Sequence, residues 1–235
     1  MNKSTLLAGL GGGIVGAGLT AAVIITAAPS LMGERLVRQS LVENPEILIE
    51  ASDALRLAEM RPVLDGNRDA LETAFASSAI GASAEDADVV MVEFFDYACG
   101  YCRQAKPEIE RLVSEDPGLR VVYRELPVLG ENSVVAARAS LAASKAGKFK
   151  AFHDAMYAAG RPGEESIDEA LAAVGLTREG LSDPAIEAEL NQNFELANAL
   201  GASGTPTFVI GDTIIPSAEG YDAYKAAIAK ARDEA

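Results

Sequence analysis

The chain has 235 residues with 35 acidic against 20 basic side chains, a formal charge of −15. That balance excludes sequence-independent nucleic-acid binding, which needs a basic surface, while the length allows one ordinary domain with an appendage or one large domain. Two cysteines and a single histidine fall short of the four ligands that a zinc site usually takes.

After Lys3, the run from Leu6 to Ala28 carries no charge and is about the length that crosses a bilayer. Residues 1–32 are therefore expected to be a signal peptide or a membrane anchor. The run ends in Thr26-Ala-Ala-Pro29, an imperfect cleavage site because Pro29 follows Ala28, so retained anchor and cleaved signal both stay open. Either way the remainder is exported to a compartment where disulfides are made. A protein with one cysteine pair is better suited there to handling disulfides than to being held together by them.

Residues 33–80 read as a helical N-terminal arm, with Leu36, Val37 and Leu41, then Ile47, Leu48, Ala51, Leu55 and Ala58 at helical intervals. Asn44-Pro45-Glu46 breaks and restarts the helix, Asn44 being placed to cap and Pro45 to take the first helical position. A separate short helix is expected over residues 68–76. Such a stripe packs on its own domain or pairs with copies of itself, and it is not a strict heptad. Residues 81–87 are small and polar and read as a linker.

Val89 to Phe95 is short, apolar and β-branched, as in a buried strand. Cys99-Gly-Tyr-Cys102 follows at once. Ile109, Leu112 and Val113 then mark a helix, so the cysteine pair sits at a strand-to-helix turn. A thiol there faces unpaired backbone N–H groups and the positive end of the helix dipole, which favour thiolate. Cys99, the outer residue, is the expected nucleophile, and Cys102, one turn inside, the resolving thiol. Haem attachment would require histidine where Arg103 stands, and a structural disulfide closing so short a loop adds little stability.

Asp116-Pro-Gly118 is a turn and Leu119 to Glu125 a second strand, parallel to the first through a right-handed crossover. Residues 132–200 then form a helical insertion, whose helices close at Gly147, Gly160, Gly175 and Gly201. Ser166-Ile-Asp-Glu169 has the form of a capping box and Asp183-Pro184 that of a cap with proline first. His153 falls among Phe149, Phe152, Met156 and Tyr157 and reads as a packed or surface residue, not a catalytic base. Thr207 to Ile210 and Thr213 to Ile215 are strands joined by Gly211-Asp212, and a helix from Tyr221 closes the chain.

This order, with Cys99-Gly-Tyr-Cys102 after the first strand and Gly204-Thr-Pro-Thr207 before the third, resembles the DsbA-like thiol:disulfide oxidoreductases of the thioredoxin superfamily. The resemblance covers residues 88–235 and implies an α/β fold: a thioredoxin-like domain with a helical insertion, preceded here by the arm and the hydrophobic segment. It implies a cis peptide between Thr205 and Pro206 beside Cys99, leaving the neighbouring backbone free to pair with an extended substrate. It gives Glu93 the position of a buried carboxylate that assists proton movement at the inner cysteine; a partly exposed strand residue is the plain alternative. The lysine partner of that carboxylate is not evident, since the second strand offers Arg120 and Arg124. Pro107 resembles the kink-forming proline of thioredoxin active-site helices.

The Gly-Tyr dipeptide and the arm with Glu43-Asn-Pro-Glu46 also resemble the suppressor-of-copper-sensitivity (ScsC) group. The expected function is disulfide formation in exported proteins, in the periplasm or cell envelope, without cofactor or metal. Partners would be unfolded or misoxidised exported proteins and a membrane redox partner, DsbB-like or DsbD-like, with homo-oligomerisation through residues 34–80 in view. The alternatives are an oligomeric isomerase or reductase, or a dithiol that captures Cu(I).

Overall fold

The computed structural model describes residue 33 and residues 36–234; the expected signal or anchor segment lies outside them. Among the described residues, no helix is long and apolar enough to cross a membrane. The chain divides into two compact units, one ending at Arg56 and one starting at Leu57.

In the first unit, residues 36–43 are helical (α1), and a second helix, α2 (Glu46–Glu72), starts after Pro45. Asn44 does not cap α2. Its backbone and side-chain N–H groups both donate to Ser40 O, at 2.9 and 3.2 Å, because the last carbonyls of α1 need donors. Leu36, Val37, Val42, Leu48, Ile49 and Leu55 are all exposed.

The expected break before Arg68 is absent: α2 continues to Glu72 through Pro62. Leu64 and Leu71, seven residues and about two turns apart, are buried on one face of it, and that continuous stripe explains why it holds as one helix.

The second unit is built on five strands, β1 (Ala79–Gly81), β2 (Val89–Phe95), β3 (Leu119–Glu125), β4 (Thr207–Ile210) and β5 (Thr213–Ile215), in the order β1-β3-β2-β4-β5. β2 and β3 are parallel and the other pairs antiparallel. The short strand β1 was not expected from the sequence. It pairs Ala79 with Val122 and ends on Gly81 at φ 88°, where a Cβ would stand 2.3 Å from Leu119 O, so only glycine fits.

Alternation along the buried strands separates two cores. Met91, Phe95, Val121 and Tyr123 face α3 (Gly100–Glu115), α5 (Phe149–Ala159), α6 (Glu164–Ala173) and α8 (Tyr221–Asp233). Val92, Phe94 and Val122 pack with Leu64 and Leu71 of α2 and Leu196 of α7 (Pro184–Ala199). Between α3 and α7, α4 (Glu131–Lys145) adds Ala137 and Leu141 to a small cluster with Ile186 and Leu190. The expected capping box at Ser166 is displaced: α6 starts earlier, Gly163 is its N-cap, and Ser166 is the third helical residue, its Oγ accepting from Gly163 N at 2.9 Å. Asp183 caps α7 by accepting from Ala185 N at 2.8 Å.

Arg124 is fully buried and joins three elements. Its Nη1 donates to Glu189 Oε1 at 3.0 Å and Asn193 Oδ1 at 2.8 Å on α7. Its remaining N–H groups serve carbonyls at the end of α2, Leu71 O at 3.1 Å, Thr73 O at 2.7 Å and Ala70 O. A fixed guanidinium fork suits that task, since helix C-termini present several unpaired carbonyls of negative partial charge.

Candidate active site

β2 ends at Phe95 and α3 begins at Gly100, so the intervening turn delivers both cysteines to one end of the parallel strand pair. Cys99 is the N-cap of α3, with extended backbone at φ −77° and ψ 119°. Cys102 lies in the first turn and is 1% exposed. Both are free thiols.

Their environments separate them chemically. The Cys99 thiol is held down at about 5, first by a hydrogen bond from the Cys102 side chain, with further help from Thr205 and the backbone N–H groups of Cys102 and Tyr101, against the opposing effect of burial. The two backbone N–H groups are donors that a helix start leaves unpaired. The Cys102 thiol is pushed up by burial, then by its hydrogen bond to Cys99 and the charge of Glu93. The first sulfur is therefore favoured as thiolate at neutral pH, and the second holds its proton.

As a thiol, Cys99 Sγ donates to Thr205 O at 3.1 Å. The Thr205–Pro206 peptide is cis, and Pro206 leads directly into β4, which pairs antiparallel with β2.

Glu93 is a buried strand residue, 2% exposed, standing in register between Tyr123 of β3 and Phe208 of β4. Burial, then the charge of Cys99, raises its carboxyl well above the usual range and favours its protonated form. Neither arginine of β3 serves it. Arg120 Nη1 donates to Ala82 O at 2.8 Å, and Arg124 is committed to α2 and α7.

Three features around the pair escaped the sequence reading. Asp96, buried at the end of β2, accepts from Ala98 N at 2.8 Å through Oδ1 and from Val128 N and Leu129 N, both at 2.9 Å, through Oδ2. One carboxylate thereby ties the active-site turn to the loop after β3. Its signal was available: an acid between two apolar runs at a strand end is placed to bind turn N–H groups.

The second is a buried polar chain. Tyr97 OH lies 3.0 Å from Ser140 Oγ and 3.1 Å from His153 Nδ1, and Ser140 Oγ donates to Glu125 Oε1 at 2.7 Å. Burial pushes Glu125 up to about 8 and His153 down to about 3. Glu125 Oε2 and His153 Nε2 have no hydrogen-bond partner among the described residues. His153 is thus packed, among Phe95, Tyr123, Phe149 and Tyr157.

The third is Arg103, whose guanidinium reaches from α3 to the end of α5, where Nη2 donates to Gly160 O at 2.6 Å. Among the described residues, no group of three or more His, Cys, Asp or Glu side chains is placed to hold a metal ion.

A family model for the DSBA-like thioredoxin domain matches residues 90–229. Among solved structures, the catalytic domain of Proteus mirabilis ScsC is 34% identical, covering 74% of this chain and 98% of its own, with a TM-score of 0.68. A thioredoxin-like oxidoreductase from Silicibacter pomeroyi is 41% identical, covering 72% and 99%, with a TM-score of 0.67. A periplasmic thioredoxin-like protein from Salmonella enterica is 32% identical, covering 71% and 95%, with a TM-score of 0.65. Among curated relatives, a Na(+)/H(+) antiporter NhaA 3 of Salinispora tropica is 33% identical over 135 residues, 53% of this chain and 20% of the antiporter. The chain thus spans about a fifth of the length of that relative. With the cysteine pair, the cis peptide beside it and this strand order in one unit, the chain belongs to the DSBA-like thioredoxin domain family.

Proposed function

We propose that this protein donates disulfides to exported proteins through Cys99 and Cys102, in the periplasm or cell envelope. The observation that carries this reading is the split between the two thiols, with Cys99 at about 5 and Cys102 raised. A stable Cys99 thiolate favours the reduced pair and so makes the disulfide an oxidant.

In the oxidised protein, a substrate thiolate attacks Cys99 Sγ. The Cys99–Cys102 bond breaks, a substrate–Cys99 bond forms, and the Cys102 sulfur leaves with the electron pair. Cys102 then takes a proton, for which the protonated Glu93 is the source within the core. A second substrate thiolate attacks the substrate sulfur of the mixed disulfide and expels Cys99 as thiolate. The substrate loses two electrons, the cysteine pair gains them, and a disulfide-bearing membrane partner restores the starting state. Pro206 lacks an N–H, and the backbone at Thr205 is left to pair with the substrate chain in extended form.

Cys99→Ser is the direct test: it should abolish oxidation of a reduced, unfolded test protein, and unchanged oxidation would end this reading. The equilibrium of the pair with glutathione fixes the direction, a potential near the DsbA value of about −120 mV marking a donor.

The exposed apolar side chains of residues 36–55 favour a second reading, an isomerase or reductase assembled through its arm. Leu36, Val42, Leu48, Ile49 and Leu55 are each more than half exposed, more apolar surface than a solvated helix requires. Light scattering separates the readings: an oligomer that Leu48→Glu and Leu55→Glu dissolve supports this one, and a monomer removes it.

A further inference from the structure

Arg103 directly follows Cys102 in α3. A cation so near a helix start opposes the dipole, so its place must come from contacts elsewhere. Its guanidinium leaves α3 and donates to Gly160 O at 2.6 Å and to Tyr157 O, carbonyls that the end of α5 leaves without helical partners. The same group stands 5.0 Å from the centroid of the Tyr157 ring, within cation–π range. Among the described residues, no carboxylate forms an ion pair with it.

Tyr157 is the link to the chemistry. It is buried in the same apolar cluster as Cys102, and its ring meets those of Tyr97 at 5.2 Å and His153 at 4.8 Å. Arg103 therefore fastens the helical insertion to the active-site helix at the turn that carries the inner sulfur. Two N–H groups on two carbonyls, with the plane against a ring, fix an orientation that the rotating ammonium of a lysine does not reproduce.

We infer that Arg103 is a positioning residue, a latch that keeps the end of α5 and Tyr157 closed over Cys102, so that outside thiols meet Cys99 and not the inner sulfur. Which sulfur is attacked decides the product of thiol–disulfide exchange. With the latch closed, mixed disulfides form only where Cys102 stands ready to resolve them. The inference rests on the exchange reading above, but the latch is testable without turnover.

The experiment measures alkylation of Cys102 by iodoacetamide in the folded Cys99→Ser protein, alone and combined with Arg103→Lys, Arg103→Gln or Tyr157→Ala. All three combinations should raise the rate by roughly tenfold or more, the effect of local opening at this one place. Arg232→Gln, which removes the clamp from α8 to Asp88 and Asp116, controls for general loosening and should leave the rate unchanged. Rates equal to that of Cys99→Ser alone in the Arg103 variants would overturn the inference. So would an Arg103→Lys rate that stays low while Arg103→Gln rises, since charge alone would then suffice, or an equal rise in Arg232→Gln. Because no substrate is oxidised, failure here is distinct from failure of the disulfide-donor reading, which Cys99→Ser turnover decides.

Discussion

The Cys99 sulfur lies 3.1 Å from the carbonyl oxygen of Thr205, so the turn that opens α3 and the cis peptide that enters β4 meet at one atom. Residues 106 positions apart thereby share the site, and its chemistry depends on the sheet being formed.

The first prediction concerns the state of that sulfur. Alkylation of Cys99 followed against pH should show half-ionisation at about 5. Cys102→Ala removes the foremost donor to the thiolate, and the midpoint should move upward toward the free-thiol value of about 8.5. A midpoint unmoved in Cys102→Ala would assign the effect to the backbone N–H groups instead.

Glu125 should make the protein less stable as pH rises. Its carboxyl is raised from 4.5 to about 8 in the folded state, so between those values the native form holds a proton that the unfolded chain has released. Unfolding free energy then falls with pH across that window. Glu125→Gln should flatten the fall in urea midpoint between pH 5 and 8, and an unchanged slope would contradict the assignment.

His153 acts on the acid side with the opposite sign. Its imidazole is lowered from 6.5 to about 3 by burial, so between those values the unfolded chain binds a proton that the native form refuses. Stability is lost as pH drops below 6.5. His153→Phe, in a site already ringed by aromatic side chains, should lessen that loss, as urea titrations at pH 4 and pH 7 would register.

Arg124→Ala should be among the most damaging substitutions away from the cysteines. It strands the buried Glu189 carboxylate and unpairs carbonyls at the end of α2, and breaking a buried pair from one side costs about 3–5 kcal/mol. Chemical denaturation measures it directly; a loss below about 1 kcal/mol would mean that water replaces the guanidinium at little cost.

Much of the fold was legible because its strands are buried runs bounded by turn residues. β2, β3, β4 and β5 begin and end where the apolar and β-branched runs do. The cysteine pair was legible for the same reason, its turn lying between an evident strand and an evident helix. β1 was hidden because three residues carry no period, and α2 was divided because Leu64 and Leu71 were not joined to the stripe that ends at Ala58. The polar groups around the site were the least accessible. Arg103 finds Tyr157 and Gly160, Glu125 finds Ser140, and Arg124 finds Glu189. No local pattern announces a partner in another helix, and a buried charge looks like a surface one until its neighbours are known.

The aromatic packing behind Cys102 has a practical consequence. The chain has no tryptophan and six tyrosines, and three of these, Tyr97, Tyr123 and Tyr157, crowd around His153 in the cluster that holds the inner sulfur. With no indole to dominate, ultraviolet emission comes from the phenols, and half of them stand in that group around His153. Opening and closing the sulfur–sulfur bond should be visible as a change in phenol fluorescence, an internal dye that lets electron transfer be timed in an unlabelled molecule.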